Sequence, residues 1–538
     1  MNKPTPVETV TLTQDLTLPA LLQQRAESHP DLAFAHEVNG TSRTYQQMHE
    51  ASLAFAAYFA EKGVEREEIV ATFMPATLEA LELWVGLSWL GAIEAALNTA
   101  YRHQLLADVV NDTRASTIVT TTEFLPHLVE AAGSLVHVAV VHVLDVDDQS
   151  ALPKVDGWAV TAAAHARSTP PARKHTRPEM HESSCILYTS GTTGPSKGVL
   201  LPWAQMLESG RTIIPTHAMT SDDIFYCPYA PCHITGKAYF YSMLLVGGGY
   251  VVKRKFSTSE FWPDIRAFGC TTTLLQGAMA HFLLNRPARD DDAENPLTQV
   301  IVAPVIQEVD ELERRFGMKV GTVYNMTELS CPLVSEGWNQ DGPGSCGIAR
   351  DGVEVRVADE LDRELPVGEV GELLVRHRDP WTLTTGYLGR PEATVSAMRN
   401  NWFHTGDAFY RTEDGRYFFV DRIKDSIRRR GENISSSEVE REVRKFPGVK
   451  ECAAIAAPSE FGEDDVRIAV VPEDVAVVSP AELYNFLVSR LAAYMLPRYI
   501  DVIDSIPKTE TQKIQKNLLR ALPIGDATWE APDPRALA

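Results

Sequence analysis

The sequence predicts an α/β protein: a large N-terminal domain of layered α/β sheets with a β-rich portion, followed by a small α+β C-terminal domain. Three observations predict this class. Helical and strand patterns alternate through the first third of the chain, short alternating strands run from Gly344 to Val420, and a compact helix–strand pattern follows Asp421. The 538 residues are also too many for one ordinary core, so two or more domains are expected.

The first third shows the strand–helix alternation that is typical of parallel sheets covered by helices. Helical spacing marks residues 17–30 and 44–63, and Gly63 is a suitable C-cap for the second helix. Buried strands are predicted for "EIVATFMP" and "ASTIVTTT", and one buried helix for "LEALELWVGLSWLGAIEAALN" (78–98). From Asp147 to Glu182 the chain is polar and contains several prolines, which predicts a surface connection.

The later part of the chain predicts antiparallel strands and then a small α+β unit. The short alternating runs are "GVEVRVADE", "GEVGELLVRH" and "GRYFFVDR", separated by Gly, Asp and Pro. After them come a helix ("SSSEVEREVRKFPG"), two strands ("VKECAAIAAPSE" and "DVRIAVVPED") and a helix that Ser479 or Pro480 begins. We place the boundary between an N-terminal domain, 1–423, and a C-terminal domain, 424–538.

Composition excludes several classes of function. The net charge of −22, from 50 basic and 72 acidic residues, argues against nonspecific nucleic-acid binding. The seven cysteines form no C-x-x-C pair and are odd in number, which disfavours a disulfide framework or structural zinc and fits a reducing cytoplasm. The most apolar window, Leu81 to Leu97, carries Glu82 and Glu94, so it predicts a buried helix rather than a membrane span. No secretory signal is visible at the N-terminus, and a cytoplasmic protein is expected.

One stretch, "YTSGTTGPSKGV" from Tyr188 to Val199, combines glycines, hydroxyls and a lysine. Glycines let the backbone turn tightly and direct N–H groups at an anion, and hydroxyls and an ammonium add donors and charge. The spacing is not that of a Walker A loop. Composition alone leaves a polar surface loop open as the alternative. The candidate phosphate-binding residues are Thr189, Ser190, Gly191, Thr192, Thr193, Gly194 and Lys197.

This stretch resembles the phosphate-loop signature of the adenylate-forming superfamily, which comprises acyl- and aryl-CoA synthetases, peptide-synthetase adenylation domains and beetle luciferases. Further motifs of that superfamily recur in order: "YNMTE" (324–328), "WFHTGD" (402–407), "DRIKDSIRRRGENISSSEVE" (421–440) and "PKTETQKIQK" (507–516). They cover the chain from about 185 to 520, and their style is similar to that of carnitine-type and fatty acyl-CoA ligases. The resemblance implies that the C-terminal domain is mobile.

The resemblance implies a role for each motif in joining a carboxylate to the α-phosphate of ATP. Residues 189–197 would hold the β- and γ-phosphates, Glu328 would hold Mg²⁺, and Thr327 would contact the α-phosphate. Asp407 would accept hydrogen bonds from both ribose hydroxyls. The remaining nucleotide-binding residues implied are Tyr324, which would stack on adenine, with Asn325, Met326, Ala303, Pro304, Arg422 and Lys424.

Two lysines and a histidine complete the implied machinery. Lys513 would enter the site from the C-terminal domain and bridge the substrate carboxylate and ATP. Lys424 aligns with the hinge about which that domain would rotate. His233 would take a substrate-side position. For Lys237, four residues later, the pattern favours an ordinary exposed lysine over one that contacts a polar substrate group.

Three departures from the family pattern bear on the substrate. Asn325 stands where a glycine is usual, so we expect a smaller or more polar acyl pocket. Arg430–Gly431 replaces the usual Gly–Gly, and Arg430 would either bind a CoA phosphate or narrow the pantetheine tunnel. Gln512 replaces the glycine before Lys513, which removes flexibility from that turn.

The implied function is that of an ATP-dependent, AMP-forming acid–CoA ligase, with Mg²⁺ and CoA, acting on a small or polar carboxylic acid. Alternatives keep the adenylation and change the acceptor to an amine, a carrier-protein thiol or water. A further alternative, from bacterial secondary metabolism, activates nitrite as the anionic nucleophile and diazotises an aromatic amine. A nonenzymatic nucleotide sensor is disfavoured by the presence of Thr327, Glu328, Asp407 and Lys513. The oligomeric state stays open.

Overall fold

A computed structural model describes most of the chain. The described residues are 13–170, 177–189, 196–339, 341–423, 427–429, 432–459, 464–473, 478–488, 490–491, 493–509, 513–525 and 527–531. The fold is the expected mixed α/β architecture, with a large N-terminal domain of sheets and helices and a smaller C-terminal domain.

Two mostly parallel sheets form the layers of the large domain. The first sheet has the strand order Lys319–Gly321, Gln299–Ala303, Thr272–Gln276, Ile224–Cys227, Gly249–Val252, Ala33–Glu37 and Ser42–Thr44. The second has the order Gly386–Tyr387, Lys197–Pro202, Ser183–Thr189, Ile93–Ala96, Ile69–Phe73, Thr117–Thr120, Val140–Val143 and Ala159–Ala162. In the second sheet, Ser183–Thr189 and Lys197–Pro202 are antiparallel neighbours that flank the glycine-rich loop.

Helices cover both sheets and fill the space between them. The helices of the large domain are Leu18–Ser28, Tyr45–Glu61, Leu78–Leu90, His103–Thr113, Leu125–Ala131, Trp203–His217, Ile234–Val246, Phe261–Phe268, Gly277–Leu284, Val309–Phe316 and Pro391–Ala397. Trp84 and Trp203 stack between the two sheets with ring centroids 5.8 Å apart. Phe225 and Leu187, from one sheet each, belong to the same buried core, so the helical layer joins the sheets into one body.

The β-rich portion is an antiparallel sheet, as the alternating runs predict. Its strand order is Val323–Tyr324, Leu333–Val334, Ser345–Ala349, Arg416–Arg422, Phe403–Arg411, Gly371–His377 and Val353–Ala358. The smaller domain contains the sheet Val449–Pro458, Asp464–Pro472, Tyr499–Val502 and Trp529–Glu530, the hairpin Ile427–Arg429 with Glu432–Ile434, and the helices Ser436–Val443, Pro480–Val488 and Lys516–Ala521. Ser479 precedes the helix that Pro480 begins, as expected.

Two predictions about the first third need correction. The buried helix predicted over 78–98 ends at Leu90, because Gly91 adopts a left-handed conformation with φ of 70°. Ile93–Ala96 is instead a central strand, parallel to both neighbours and nearly fully buried. A continuous apolar run fits a buried helix and a buried parallel strand equally well, so periodicity could not separate them. The polar connection 147–182 also contributes the edge strand Ala159–Ala162.

All seven cysteines lie in the described residues, and each is buried and free. No helix of the described ranges combines the length and the apolarity that a membrane crossing requires.

Candidate active site

Hydrogen-bond registers between neighbouring strands place the two ends of the glycine-rich loop side by side. Thr189 pairs with Lys197 across the antiparallel strands, and the Thr189 hydroxyl donates to the Lys197 carbonyl at 3.4 Å. The Lys197 ammonium lies 4.7 Å from the centre of the Tyr387 ring, a cation–π distance. The predicted phosphate-loop residues 190–194 lie outside the described residues.

A second register in the antiparallel sheet brings Asp407 opposite Arg422. Tyr324 donates its hydroxyl to Asp407 Oδ2 at 2.7 Å, and Arg422 Nε lies 3.5 Å from Asp407 Oδ1. The Tyr324 ring packs edge-on against Phe409 at 5.0 Å. Tyr324, Asp407 and Arg422 therefore form one group, although they come from distant parts of the sequence.

Asp407 is only 4% exposed. Burial raises the pKa of its carboxyl above the usual value, while the Arg422 guanidinium and the Tyr324 hydroxyl oppose that rise. Its Oδ1 is buried and accepts no hydrogen bond from any described residue. Arg422, its charged neighbour, lies at the long distance of 3.5 Å, so this oxygen keeps room for a hydrogen bond and is suited to accept a hydroxyl from a bound ligand.

Glu328 is the buried carboxylate next to this group. Tyr387 donates its hydroxyl to Glu328 Oε1 at 2.9 Å, so Lys197, Tyr387 and Glu328 form a contiguous cluster. Burial raises the pKa of Glu328, and the Tyr387 hydrogen bond and the charges of Arg422 and Lys197 partly offset the rise. Glu328 is thus a carboxylate whose ionised form gains from a nearby cation.

Buried side chains hold the segment that carries Tyr324 to Glu328. Gln205 donates its amide to the carbonyl of Thr327 at 3.0 Å, and the Ser330 hydroxyl donates to the Thr382 carbonyl at 2.6 Å. Arg350, paired with Glu208 at 2.8 Å, donates to the carbonyl of Ser330. The backbone around Glu328 is therefore fixed by contacts that do not use the site's own functional groups.

Lys513 reaches this site from the small domain. Although the Lys513 side chain is solvent-exposed, protein atoms crowd it closely enough to lower the pKa of its ammonium, and Arg422 acts in the same direction. The carboxylates of Asp407 and Glu328 oppose this shift. The Lys513 charge is also felt by His233, whose pKa falls to about 4, mainly because the ring is desolvated. Lys513 thus lies close enough to Asp407, Glu328 and His233 for its charge to act on all three.

The His233 position follows from its place before a helix. His233 is the N-cap residue of the helix Ile234–Val246, but its side chain makes no capping hydrogen bond. The ring is therefore not used to cap the start of the helix. With a pKa of about 4, the imidazole is neutral at pH 7 and offers one donor and one acceptor. A neutral His233 ring is suited to a hydrogen bond with a substrate rather than to an ion pair.

The expectation that Lys237 is exposed is wrong. Its side chain is 0% exposed and pairs with the buried Glu94, and its ammonium lies 3.7 Å from the Trp84 ring centre. Glu94 also accepts from the Thr72 hydroxyl at 2.8 Å. A buried lysine needs a paired charge, and that partner comes from a strand 143 residues earlier, which local sequence does not reveal.

The other predicted residues are placed as follows. Asn325 accepts the backbone N–H of Cys331 at 2.9 Å with its amide oxygen, so part of its side chain serves the loop. Ala303 ends the strand Gln299–Ala303, with Pro304 directly after it, and Met326 packs against the core of the antiparallel sheet. Lys424, Arg430, Gly431 and Gln512 lie outside the described residues.

Sequence reasoning missed Tyr387 and Gln205. Tyr387 belongs to "TTGYLGRPE", a turn-rich segment in which nothing marks a tyrosine hydroxyl for a contact with Glu328. Gln205 lies in a helix of mixed polarity, where a glutamine is ordinary. Only the spatial neighbours of these side chains reveal their importance.

The residues present fit the nucleotide and the metal that the motifs imply. The unsatisfied Asp407 Oδ1 is a ready ribose acceptor, and Tyr324 supplies an aromatic ring beside it. Within the described ranges no cluster of three or more His, Cys, Asp or Glu could hold a metal ion by itself. Mg²⁺ commonly binds through one or two carboxylates together with phosphates and water, so a single Glu328 suits it.

Comparisons with known proteins show the family of the chain. Residues 22–388 match the AMP-binding enzyme family, and residues 438–513 match the AMP-binding enzyme C-terminal domain. The chain is 27% identical over 498 residues to a crotonobetaine/carnitine–CoA ligase of Citrobacter koseri, covering 89% of this chain and 93% of that protein.

Solved structures show the same fold. ATP-bound MatB from Rhodopseudomonas palustris is 25% identical, with a TM-score of 0.81 over 93% of this chain and 98% of that one. The O-succinylbenzoate coenzyme A synthetase MenE from Bacillus subtilis, in complex with AMP, is 21% identical, with a TM-score of 0.81 over 94% and 99%.

These findings define the class of protein as an adenylate-forming enzyme, an AMP-forming ligase. The family match spans more than half of the chain, so the protein belongs to the AMP-binding enzyme family.

Proposed function

We propose that this protein is an ATP- and Mg²⁺-dependent acid–CoA ligase that forms an acyl- or aryl-adenylate and then a thioester, with a small or polar carboxylic acid as substrate. The observation that carries the proposal is that Lys513, from the small domain, lies close enough to Asp407 and Glu328 of the large domain for their carboxylates to act on the pKa of its ammonium. It brings a cation to carboxylates and an aromatic ring suited to a nucleotide.

In the first step, a carboxylate oxygen of the substrate attacks the α-phosphorus of ATP, and pyrophosphate leaves. Asp407 and Tyr324 hold the nucleoside, and Thr189, Lys197 and the intervening loop hold the terminal phosphates. Lys513 and Thr327 contact the reacting carboxylate and α-phosphate, where negative charge is concentrated. The gain is positional and electrostatic, because two anions must be brought together.

Glu328 is the proposed Mg²⁺ ligand, and Tyr387 orients it through the 2.9 Å hydrogen bond. When bound, Mg²⁺ withdraws charge from the phosphates. The metal ion would also stabilise the ionised form of the buried Glu328, which the surrounding side chains stabilise only in part.

In the second step, the thiol of CoA loses its proton to solvent water and its sulfur attacks the adenylate carbonyl; the carbonyl–oxygen bond to the phosphate breaks, and AMP leaves. We propose that the small domain, 424–538, rotates about Lys424 between the steps, so that Lys513 withdraws and the thiol enters. The rotation would let the same space serve adenylation first and the entry of the bulky thiol afterwards.

The pocket proposal rests on Asn325 and His233. Asn325 adds volume and polarity where the family has glycine, and the neutral His233 offers further hydrogen bonding. The relative from Citrobacter koseri is named for crotonobetaine and carnitine, which supports a small polar acid here.

The test is to incubate the protein with MgATP and a panel of small acids, with CoA, without CoA, or with nitrite and an aromatic amine. The products are identified by mass. A thioester and AMP that appear only with CoA would support the proposal. An adenylate that CoA never consumes would contradict the ligase assignment, and a diazonium product would assign the nitrite chemistry instead.

A further inference from the structure

A chain of buried polar contacts joins the two domains beside the candidate site. Arg422 ends the strand Arg416–Arg422 and approaches Asp407, whereas its neighbour Asp421 points to the other face, because successive strand residues alternate. Asp421 Oδ1 accepts the backbone N–H of Arg422 at 2.8 Å. Its Oδ2 is directed at the small domain.

Ser436, in the small domain, donates hydrogen bonds to that oxygen. It is the first residue of the helix Ser436–Val443 and is 0% exposed. Its backbone N–H donates to Asp421 Oδ2 at 2.7 Å, and its hydroxyl donates to the same oxygen. Ser435 adds a third contact, since its hydroxyl donates to the Val420 carbonyl at 3.1 Å. A helix N-terminus is thus held directly on a strand of the large domain.

Lys516 continues the chain to the segment that carries Lys513. Its ammonium donates to the Ser436 hydroxyl and pairs with Glu440 Oε1 at 2.8 Å. Glu440 also accepts the backbone N–H of Ala454 at 2.9 Å and pairs with Arg444 at 3.1 Å. Asp421, Ser436, Glu440 and Lys516 are all buried, so their charges depend on one another rather than on water.

Lys516 lies three residues after Lys513. The intervening backbone is short and is fixed on its other side, because Thr509 N–H donates to the Lys513 carbonyl at 2.7 Å and Gln515 N–H to the Pro507 carbonyl at 2.8 Å. A displacement of Lys516 is therefore expected to move Lys513 through the two residues between them.

We propose that Asp421, Ser436 and Lys516 form an interdomain latch that positions Lys513 for adenylation and opens for thioester formation. The latch rests on the function proposed above for Lys513. Lys516 is a positioning residue, because its ammonium binds Ser436 and Glu440 rather than the site. Asp421 belongs to the large domain and Ser436 to the small one, so rotation of the small domain separates them.

The latch gives the two steps opposite requirements. Adenylation needs the latch closed, since a displacement of Lys513 by about 1 Å costs up to roughly 100-fold in rate. Thioester formation needs it open. Weakening the latch should therefore slow the first step and leave the second unchanged or faster, which a general loss of folding would not do.

The test compares single-turnover rates for the two steps in Ser436→Ala, which removes the hydroxyl shared by Asp421 and Lys516 without removing a charge. We expect adenylation to fall roughly 10- to 100-fold, with conversion of supplied acyl-adenylate and CoA at the wild-type rate or above. Lys516→Met should have the same pattern, and Lys516→Arg should recover most of the loss. Equal slowing of both steps, or no change in either, would overturn the proposal.

Lys508→Met is the matched control. Lys508 lies on the same segment and is 26% exposed, and its ion pair with Glu451, at 2.6 Å, stays within the small domain. Both half-reactions should keep wild-type rates in this variant. Selective loss of adenylation in Lys508→Met would show that any lysine of the segment matters, and the latch would be rejected.

A measurement without turnover separates the latch from the proposed function. Dyes on Val395→Cys in the large domain and Val488→Cys in the small one report the interdomain distance by energy transfer; both positions are exposed, and all native cysteines are buried. Ser436→Ala should shift the ligand-free protein away from the distance of the wild type, and Lys508→Met should not. An unshifted Ser436→Ala distance would overturn the latch. Failure of the proposed function would appear differently, as wild-type protein that adenylates no acid of the panel.

Discussion

The group of Tyr324, Asp407 and Glu328 in the large domain and the Lys513 segment of the small domain lie near each other but are built differently. Tyr324, Asp407 and Glu328 are buried, and each has a hydrogen-bond partner from the large domain. Lys513 is exposed, and its backbone is held by a hydrogen bond from Thr509, four residues earlier in the same segment. The difference suggests a division of labour: the large domain binds the ground state, and the small domain adds charge stabilisation during adenylation.

The largest expected effect comes from Lys513→Ala. A lysine that neutralises developing charge contributes to the transition state and little to ATP binding. The adenylation rate should fall by a factor on the order of 100 or more, while the ATP dissociation constant changes little. Single-turnover formation of pyrophosphate and calorimetric titration of ATP measure the two quantities. Normal adenylation in this variant would remove Lys513 from the active site.

Asp407→Ala should give the opposite pattern. Losing a charged acceptor for the ribose hydroxyls should weaken ATP binding roughly 10- to 100-fold. Tyr324→Phe is the control, since it removes the 2.7 Å contact but keeps the carboxylate. Calorimetry should show a much smaller loss for Tyr324→Phe. Equal losses would mean that Asp407 acts by holding Tyr324 rather than by binding ribose.

Glu328→Gln should raise the Mg²⁺ concentration needed for half-maximal pyrophosphate release by about tenfold, because a neutral amide is a poorer ligand. Tyr387→Phe should shift the same value less, since it removes only the hydrogen bond that orients Glu328. An unchanged Mg²⁺ requirement in Glu328→Gln would exclude Glu328 as a ligand.

Glu328→Gln also makes a prediction for the ligand-free protein. Burial raises the pKa of Glu328 in the folded state, so folding binds its proton more tightly and the ionised form lowers stability at neutral pH. The variant should therefore melt at or above the wild-type temperature at pH 7. As the pH falls through the raised pKa, the melting temperature of the wild type should rise relative to that of the variant. A variant that melts clearly lower at pH 7 would contradict this account of Glu328.

The smallest effect is expected from Asn325→Gly, which tests the pocket. Removing the side chain should let bulkier acids in, with a change of a few-fold, about 1 kcal/mol, in their kcat/KM relative to small acids. The variant also loses the contact with Cys331 N–H, so the melting temperature must be recorded beside the profile. An unchanged preference among acids would place Asn325 outside the pocket.

Much of the fold follows from the sequence because its signals are local. The alternating runs that form Val353–Ala358 and Gly371–His377, and the Ser479–Pro480 helix start, depend on neighbours in sequence. Ile93–Ala96 was misassigned because its burial between two parallel strands, not its own pattern, decides its conformation.

The site divides in the same way. Motif resemblance selected Tyr324, Asp407 and Lys513; the structure joins Tyr324 to Asp407 by a hydrogen bond and places Lys513 within reach of the Asp407 charge. The resemblance could not find Tyr387 or the Lys237–Glu94 pair, because those contacts join residues 59 and 143 positions apart. Long-range pairing of this kind is a property of the packed chain rather than of any segment.

The most direct test of the division of labour is the second half-reaction of Lys513→Ala. The variant is given CoA and the synthetic adenylate of an acid that wild type activates, and thioester is followed by mass in a single turnover. The account predicts thioester formation close to the wild-type rate, beside an adenylation rate reduced on the order of 100-fold or more. A thioester step slowed as much as adenylation would contradict the claim that Lys513 serves only the first step.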